Sequence, residues 1–484
     1  MLFNSIEFLP FVIAVFALYW AMNRWTATES GLRLQNLLLL VASYVFYACW
    51  DWRFLSLIAF STLVDYFVGG QIAKANTQQL HDNARPEARS PLARRWLIVS
   101  LLTNLGLLAV FKYTNFFLES WVSAWSAIGV DMRTTTWQII LPVGISFYTF
   151  QTLSYSIDIY RRKLEPTKDL IAFAAFVSFF PQLVAGPIEK ASSLLPQLRK
   201  SRTFDASDAI SGVKLFVWGW FKKAMVADNC GALSDAVFAN PTEYHSLAVA
   251  GGAVLFAIQL YGDFSGYSDM AIGTARLFGI RLSQNFIRPF FATNLVDLRR
   301  RWHLTLTNWI REYLYHPLGG SRGSLARTGL NILIVYALSG LWHGPSWNMV
   351  SWGLFHGILI ILTIFFLRTV KLRIPMLGVL LTFSLYVACI VFFRTASLAD
   401  ARTFFESMSN AGTGRETLNL STSLMVALGL MFGVDLAFEI REKQMKSPPR
   451  LPKWMEPWGV GSLAAWILFE TAGKPAVSFI YFQF

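Results

Sequence analysis

The apolar residues of this chain gather into windows close to the ~20 residues that cross a ~30 Å hydrocarbon core. The windows are 8–22, 34–49, 54–70, 96–111, 139–160, 248–262, 330–341, 350–366, 376–393, 424–438 and 460–469. Several are short or interrupted, so the pattern predicts an all-α polytopic membrane protein with about 10 to 12 spans and some re-entrant pieces. The longest polar stretches, 74–95, 189–208, 395–422 and 441–453, are too short to build cores of their own. Residues 1–484 are therefore expected to form a single integral membrane domain.

Two apolar stretches carry Pro and Gly inside them: LPVGISFYTF at 141–150 and FFPQLVAGPIEK at 179–190. Broken backbone at membrane depth is tolerated only where protein or a wet cavity surrounds it. Both are expected to form cavity walls.

Polar residues inside such windows are costly and tend to face the bundle interior. Asp263, Ser265, Tyr267, Ser268 and Asp269 follow directly on the window 248–262. The structural reading pairs Asp263 and Asp269 with Arg276 or another Arg to hold helices in place. The functional reading lets them touch substrate.

The stretch 294–320 reads as an interfacial helix. Leu295, Leu298, Trp302, Leu306, Trp309 and Tyr313 recur at steps of three and four on one face, and Arg299, His303, Thr307 and Arg311 at steps of four on another. Arginines 299, 300 and 301 would serve merely as headgroup anchors, or the row would line an entrance for an anionic ligand, with Arg299, Arg300 and Arg311 drawing it in. Anchoring leaves His303 unexplained.

LSGLWHGPSWNMVSWGLFHG, 338–357, suits a membrane yet holds two histidines. On a continuous helix His343 lies 16 residues past Arg327, roughly 24 Å along the axis, too deep for a headgroup contact. Gly340 and Gly344 allow close backbone approach, and Trp342 would screen a pocket there. Such a histidine is either an interhelical hydrogen-bond partner or a neutral base kept so by desolvation. His356 is assigned to packing.

Composition agrees with a membrane protein. Counting Gly and leaving out Tyr, about 57% of residues are apolar against a usual ~45–50%, and 15% are charged against ~25%. Mean hydropathy is +0.44. The net charge of +13 is split among short loops, which excludes nucleic acid as a partner and orients the chain, because Lys and Arg stay cytoplasmic. Counting spans back from the basic stretch 74–95 puts Arg24 and Arg33 inside and the N-terminus outside. One hairpin forward, Arg161, Arg162 and Lys163 come out inside as well. Residues 1–10 hold no basic residue and a Glu at position 7, so no cleavable signal peptide is expected. Cys49, Cys230 and Cys389 offer neither metal spacing nor a disulfide framework.

With these residues in view, four stretches in this order carry a resemblance: 261–279 (YGDFSGYSDMAIGTARLFG), 283–290 (SQNFIRPF), 300–320 (RRWHLTLTNWIREYLYHPLGG) and 338–357. Supporting them are MLFNSIEFLPF, LPVGISFYTFQTLSYSIDIYR, FFPQLVAGPIEK and the terminal FIYFQF. The chain resembles the membrane-bound O-acyltransferases, in their bacterial alginate O-acetyltransferase-like branch. The motif-bearing core is about 140–360, and 370–455 carries no matching motif. The resemblance implies a ring of tilted helices around a central funnel in the bacterial inner membrane. It makes His343 the catalytic residue and His303 the second, upstream histidine. Where the family has an aromatic pair before the arginines of its Arg-Arg-Trp-His motif, this chain has Leu298 and Arg299, which puts the contacts near His303 in question. Acetyl-CoA or another acyl thioester is implied as cytosolic co-substrate, with no bound cofactor and no metal. Periplasmic acetyltransferase partners and an extracytoplasmic polysaccharide are implied on the far side.

On that reading His343 takes the proton of an acceptor hydroxyl as general base, a step typically worth ~10²–10⁴-fold, and returns it to the departing thiolate. His303 or Asn348 would orient the imidazole or bind the oxyanion. Two other readings stand beside this one: D-alanyl transfer to teichoic acid, and export of a polar substrate. The second is weakened because no internal repeat is visible.

Overall fold

The computed structural model describes residues 1–22, 28–82, 89–132, 139–184, 186–369, 374–410, 414–444 and 455–482. Arg24, parts of the polar stretches 74–95, 395–422 and 441–453, Ala185 and the last two residues of FIYFQF lie outside them. Among the described residues the chain is helical, and its β contact is one isolated bridge between Tyr244 and Glu416.

Among the described residues, seven helical runs are long and apolar enough to cross a membrane: Glu29–Gln79, Pro91–Ala127, Ser246–Leu277, Leu325–His343, Trp347–Leu367, Pro375–Arg394 and Thr422–Lys443. The protein is a multi-pass membrane protein. The windows 34–49 and 54–70 give two helices, Glu29–Asp51 and Leu55–Asp82, separated by an extended Asp51 and a tight turn at Trp52–Phe54. The windows 8–22, 139–160 and 460–469 give the shorter helices Phe8–Ala21, Ile145–Tyr160 and Glu456–Thr471.

The chain packs as two compact units, Met1–Val213 with Ala271–Ser283 and Lys214–Met270 with Gln284–Phe484. In the first, both interrupted stretches are broken as expected. The helix after LPVG starts only at Ile145, behind Gly144 at φ 76°; a Cβ there would sit 2.6 Å from the Leu183 carbonyl oxygen, so only glycine fits. The second stretch gives a single turn, Phe180–Leu183. Most of the described residues of these two segments are buried. The freed backbone is satisfied from inside: Tyr47 Oη donates to the Val143 carbonyl at 2.9 Å, Ser43 Oγ accepts from Phe180 N at 3.0 Å, and Gln182 Nε2 donates to the Phe176 carbonyl at 2.9 Å. Nearby, Asp65 accepts from Ser100 (2.5 Å), Asn104 (2.7 Å) and Ser156 (3.0 Å), tying three helices at one buried carboxylate.

In the second unit, Asp263 and Asp269 are each held by a lysine. Asp263 pairs with Lys223 and Asp269 with Lys222, both at 2.7 Å, while Lys223 also meets Asp228 at 2.7 Å. This corrects the expected arginine partners. The two lysines are successive residues in the helical turn Lys222–Ala227, and successive side chains leave a helix in different directions, roughly 100° apart at 3.6 residues per turn, so they reach two different carboxylates. Arg276, in the first unit, instead donates to Ser211 Oγ at 2.7 Å.

Candidate active site

The second unit builds its central cavity on a helix pair. Leu325–His343 is continuous, capped by Ser324, so His343 stands roughly 24 Å along the axis from Arg327. The chain turns within three residues into Trp347–Thr369. Glycines let the two backbones touch: a Cβ on Gly340 would strike the Met349 carbonyl oxygen, and one on Gly353 the Tyr336 carbonyl oxygen. That approach brings His343, Trp352 and His356 to one wall.

The opposite wall comes from the stretch predicted as one helix over 294–320. It is not one helix. Leu295–Arg299 ends in a turn, and a new helix, Leu304–Ile310, begins after His303, which is left-handed at φ 44°. Positive φ is uncommon outside glycine and costs on the order of 1–3 kcal/mol, held only where the surroundings impose it. Here they do: the Leu304 amide donates to the Asn285 carbonyl, the Ile287 amide to the Arg301 carbonyl, and Asn285 holds the ring. The break divides the expected polar row. Arg299 and His303 line the cavity, whereas Arg311 is exposed beside Asn308.

Leu260, Leu298, Arg299, Trp302, His303, Leu306, His343, Trp352, His356, Tyr386, Ile390, Phe393 and Tyr481 enclose the cavity. Its free space is about 20 Å³, room for roughly one water. The His343 ring stands 4.9 Å from Trp342, 5.2 Å from Trp352, 5.7 Å from Tyr481 and 5.8 Å from Phe393. Phe264 bridges across, 4.7 Å from His303 and 4.8 Å from Tyr481. Three imidazoles thus meet one aromatic-walled space, each at most 7% exposed.

His303 is the best defined electrostatically. Asn285 Oδ1 accepts from Thr305 Oγ1 at 2.9 Å and from the Thr305 amide, so that atom is the carbonyl oxygen. His303 Nδ1, 3.0 Å away, must then donate, leaving Nε2 as the ring's basic atom. Nε2 is buried with no hydrogen-bond partner among the described residues. Burial, and then the Arg299 guanidinium, hold this imidazole well below its ordinary pKa; it is neutral. Arg299 lies over the Tyr336 ring at 5.5 Å and donates to Thr307 Oγ1 at 3.3 Å. It has no carboxylate partner among the described residues, so its charge stays available to an anion.

A base set beside an uncompensated cation, in a space shielded by aromatic rings, is suited to acyl transfer: one group removes a proton while the other stabilises developing negative charge. The comparisons decide the family. Residues 161–393 match the membrane-bound O-acyltransferase family. The probable alginate O-acetylase AlgI of Pseudomonas aeruginosa is 39% identical over 445 residues, 90% of this chain and 81% of the relative. This chain belongs to the membrane-bound O-acyltransferase family. It is an enzyme, an O-acyltransferase of the membrane. The peptidoglycan O-acetyltransferase of Helicobacter pylori is 35% identical over 403 residues, 77% of this chain and 73% of the relative. The teichoic acid D-alanyltransferase of Bacillus subtilis is 25% identical over 229 residues, 45% of this chain and 57% of the relative.

Within this acyltransferase the expected site residues divide. His343, His303 and Arg299 meet at the cavity, and Trp342 stands beside both histidines, 4.9 and 6.4 Å away, without lining it. Arg300 is exposed and turned out of it. Asn348 is engaged elsewhere: its Nδ2 donates to the carbonyls of Phe392 and Thr395, closing the end of Pro375–Arg394. Asp263 and Asp269 lie outside this cavity; Asp263 lines another of about 210 Å³ with Lys223, Asp228 and Gln259. Burial pushes the Asp228 carboxyl up to about 7 despite the Lys223 ammonium beside it.

Sequence reasoning missed Asn285, Tyr481 and the placement of His356. Asn285 lay inside the quoted SQNFIRPF without a pattern to single it out. Tyr481 lay in FIYFQF, and its backbone is tied down where the Ile480 amide donates to Asp263 Oδ2 at 2.6 Å. His356, assigned to packing, does stack on Tyr336 at 5.3 Å and 13°, yet it also lines the cavity. It follows Trp352 by one helical turn, a spacing visible in the sequence.

Proposed function

We propose that the enzyme transfers an acetyl or similar acyl group from a cytosolic thioester, acetyl-CoA or an acyl carrier, to a hydroxyl acceptor presented from the periplasmic side. The final recipient is an extracytoplasmic polysaccharide, reached directly or through periplasmic acetyltransferase partners. The observation that carries the reading is the meeting of His343, His303 and the carboxylate-free Arg299 in one closed, aromatic-lined space. His343 acts as general base: it accepts the acceptor's hydroxyl proton as the oxygen attacks the thioester carbonyl, and the imidazolium returns that proton to the thiolate when the C–S bond breaks. His303, neutral and fixed through Asn285, accepts a hydrogen bond at Nε2 from the hydroxyl or from a bridging water. Arg299 stabilises negative charge on the tetrahedral oxygen or the thiolate. An acyl group is larger than the present free space, so aromatic side chains must move to admit it.

Acetyl transfer is favoured over D-alanyl transfer because the Pseudomonas aeruginosa and Helicobacter pylori acetylating relatives match 77–90% of the chain at 35–39% identity and the teichoic acid enzymes 45–53% of it at 25%. The distribution of basic loops supports an N-terminus on the periplasmic side, and a bacterial inner membrane is the setting this reading implies. The test is mass spectrometry of cell-surface polysaccharide from a strain whose only copy is His343→Ala. Membrane-resident protein with acetyl esters lost is the expected result; wild-type ester levels would remove the assignment.

A further inference from the structure

A polar cavity in the first unit shares no lining residue with the acyl-transfer site. It holds about 330 Å³ and is lined by Trp20, Gln197, Lys200, Arg202, Phe204, Asp208, Arg276 and Arg281 among others. That volume falls within the range of small-ligand sites. We propose that this cavity binds a phosphate group, carried by an anionic lipid headgroup or by a soluble phosphate ester.

Charge is the first reason. Four cations line the space against two carboxylates, Asp205 and Asp208, and those are engaged. Asp208 pairs with Arg281 at 2.9 Å, and Asp205 accepts from the Ser207 and Asp208 amides at a helix start. Lys200 and Arg276 have no carboxylate partner among the described residues.

Arg202 is the second reason. Its residue is 5% exposed, and every hydrogen bond it makes goes to a neutral group: Gln35 Oε1 at 2.8 and 3.2 Å, Asn36 Oδ1 at 2.7 Å and the Gln197 carbonyl at 3.3 Å. The guanidinium also lies 5.6 Å over the Tyr19 ring. Buried charges are normally paired. These bonds account for four of its five N–H groups, so Arg202 offers an anion a fixed positive charge with no counter-ion among the described residues, and the donors left to bind phosphate oxygens come mainly from Lys200 and Arg276 beside it.

The surroundings fit an amphiphile as well as a free anion. Trp20 Nε1 donates to the Leu277 carbonyl at 2.9 Å, which leaves the indole face as apolar wall, and Phe204 beside it is 49% exposed. Trp20 ends the first helix next to the loop that the charge pattern assigns to the cytoplasm, where anionic lipids concentrate.

The full chain, purified in dodecyl maltoside, should be titrated with dioctanoyl phosphatidylglycerol and, separately, with inorganic phosphate, against sodium chloride at equal ionic strength. Saturable binding is expected, weakened about tenfold or more in Lys200→Glu and in Lys200→Gln/Arg276→Gln, both eluting as wild type on size exclusion. Tighter binding of the lipid identifies a headgroup site, and equal or tighter binding of phosphate identifies a soluble ester. Either supports the proposal. Failure of both probes to bind above the chloride control would overturn it, as would wild-type affinity in the exposed Lys200→Glu variant.

Discussion

His303 Nδ1 lies 3.0 Å from Asn285 Oδ1, and this contact decides which ring nitrogen of His303 is basic. The Thr305 amide, which can only donate, points at the same oxygen at 3.4 Å, so the Asn285 amide cannot turn round without setting two N–H donors against each other. Asn285→Ala should free the ring to take either tautomer. The expected effect is a fall in kcat of about tenfold, the equivalent of ~1.4 kcal/mol, with KM for the acyl donor nearly unchanged. An unaltered kcat would show that the His303 tautomer does not matter to the reaction.

The charge state of His303 gives a second prediction. Burial and the Arg299 cation both disfavour the imidazolium, so the ring stays neutral as pH falls through ~6.5, the ordinary histidine value, and protonates only below its depressed pKa. Removing the cation in Arg299→Gln makes protonation easier and must move the transition upward, though burial, the larger cause, keeps it below the free value. Histidine nitrogen shifts in selectively labelled protein, assigned by the signal lost in His303→Asn, would follow it. A transition at the same or lower pH in Arg299→Gln would contradict the electrostatics described.

What the sequence disclosed and what it hid follow from range. The 338–357 stretch was legible because its determinants are local: glycines for close approach, a tight turn, and a helix long enough to carry His343 inward. The stretch 294–320 was misread for the converse reason. Its apolar repeat at three and four is satisfied by two short helices as well as by one, and the left-handed turn at His303 is imposed by the segment 285–287, which no periodicity connects to it. Lys223 and Asp263 stand forty residues apart, and Asn348 was placed near His343 by sequence proximity alone. Local pattern gives the element, and only packing gives the partner.

The glycine contact between the two cavity helices is open to a direct test. Gly353→Val puts two methyl groups where the Tyr336 carbonyl oxygen already sits, and the helices must separate. Overpacking of this kind costs about 1–3 kcal/mol, and it displaces Trp352 and His356 from the cavity. Thermal stability and activity should fall together. Gly329→Val makes a useful control, because a Cβ there meets only the end of the Ile361 side chain at 3.7 Å and should leave both near wild type. Equal behaviour of the two variants would dismiss the role given to the close approach.

Lys223 holds two carboxylates, Asp228 and Asp263, while its own ammonium is 1% exposed. It also donates to the Ser478 carbonyl at 3.1 Å, and Asp263 receives the Ile480 amide. The ion cluster therefore fixes the segment that presents Tyr481 to His343. Burial alone would lower the Lys223 pKa, but Asp263 and Asp228 more than offset that and raise it. Lys223→Met leaves a buried carboxylate without its cation, a change that typically costs about 3–5 kcal/mol. Lys223→Met/Asp263→Asn removes the charge with the cation and keeps an amide oxygen for Ile480, so it should recover a good part of the lost stability. Denaturation in mild detergent measures the first effect, and Tyr481 accessibility to tyrosine-selective labelling measures the second. The single variant should label faster than wild type and the double variant less so. If Lys223→Met loses stability while Tyr481 stays as protected as in wild type, the cluster supports the fold without positioning the tail.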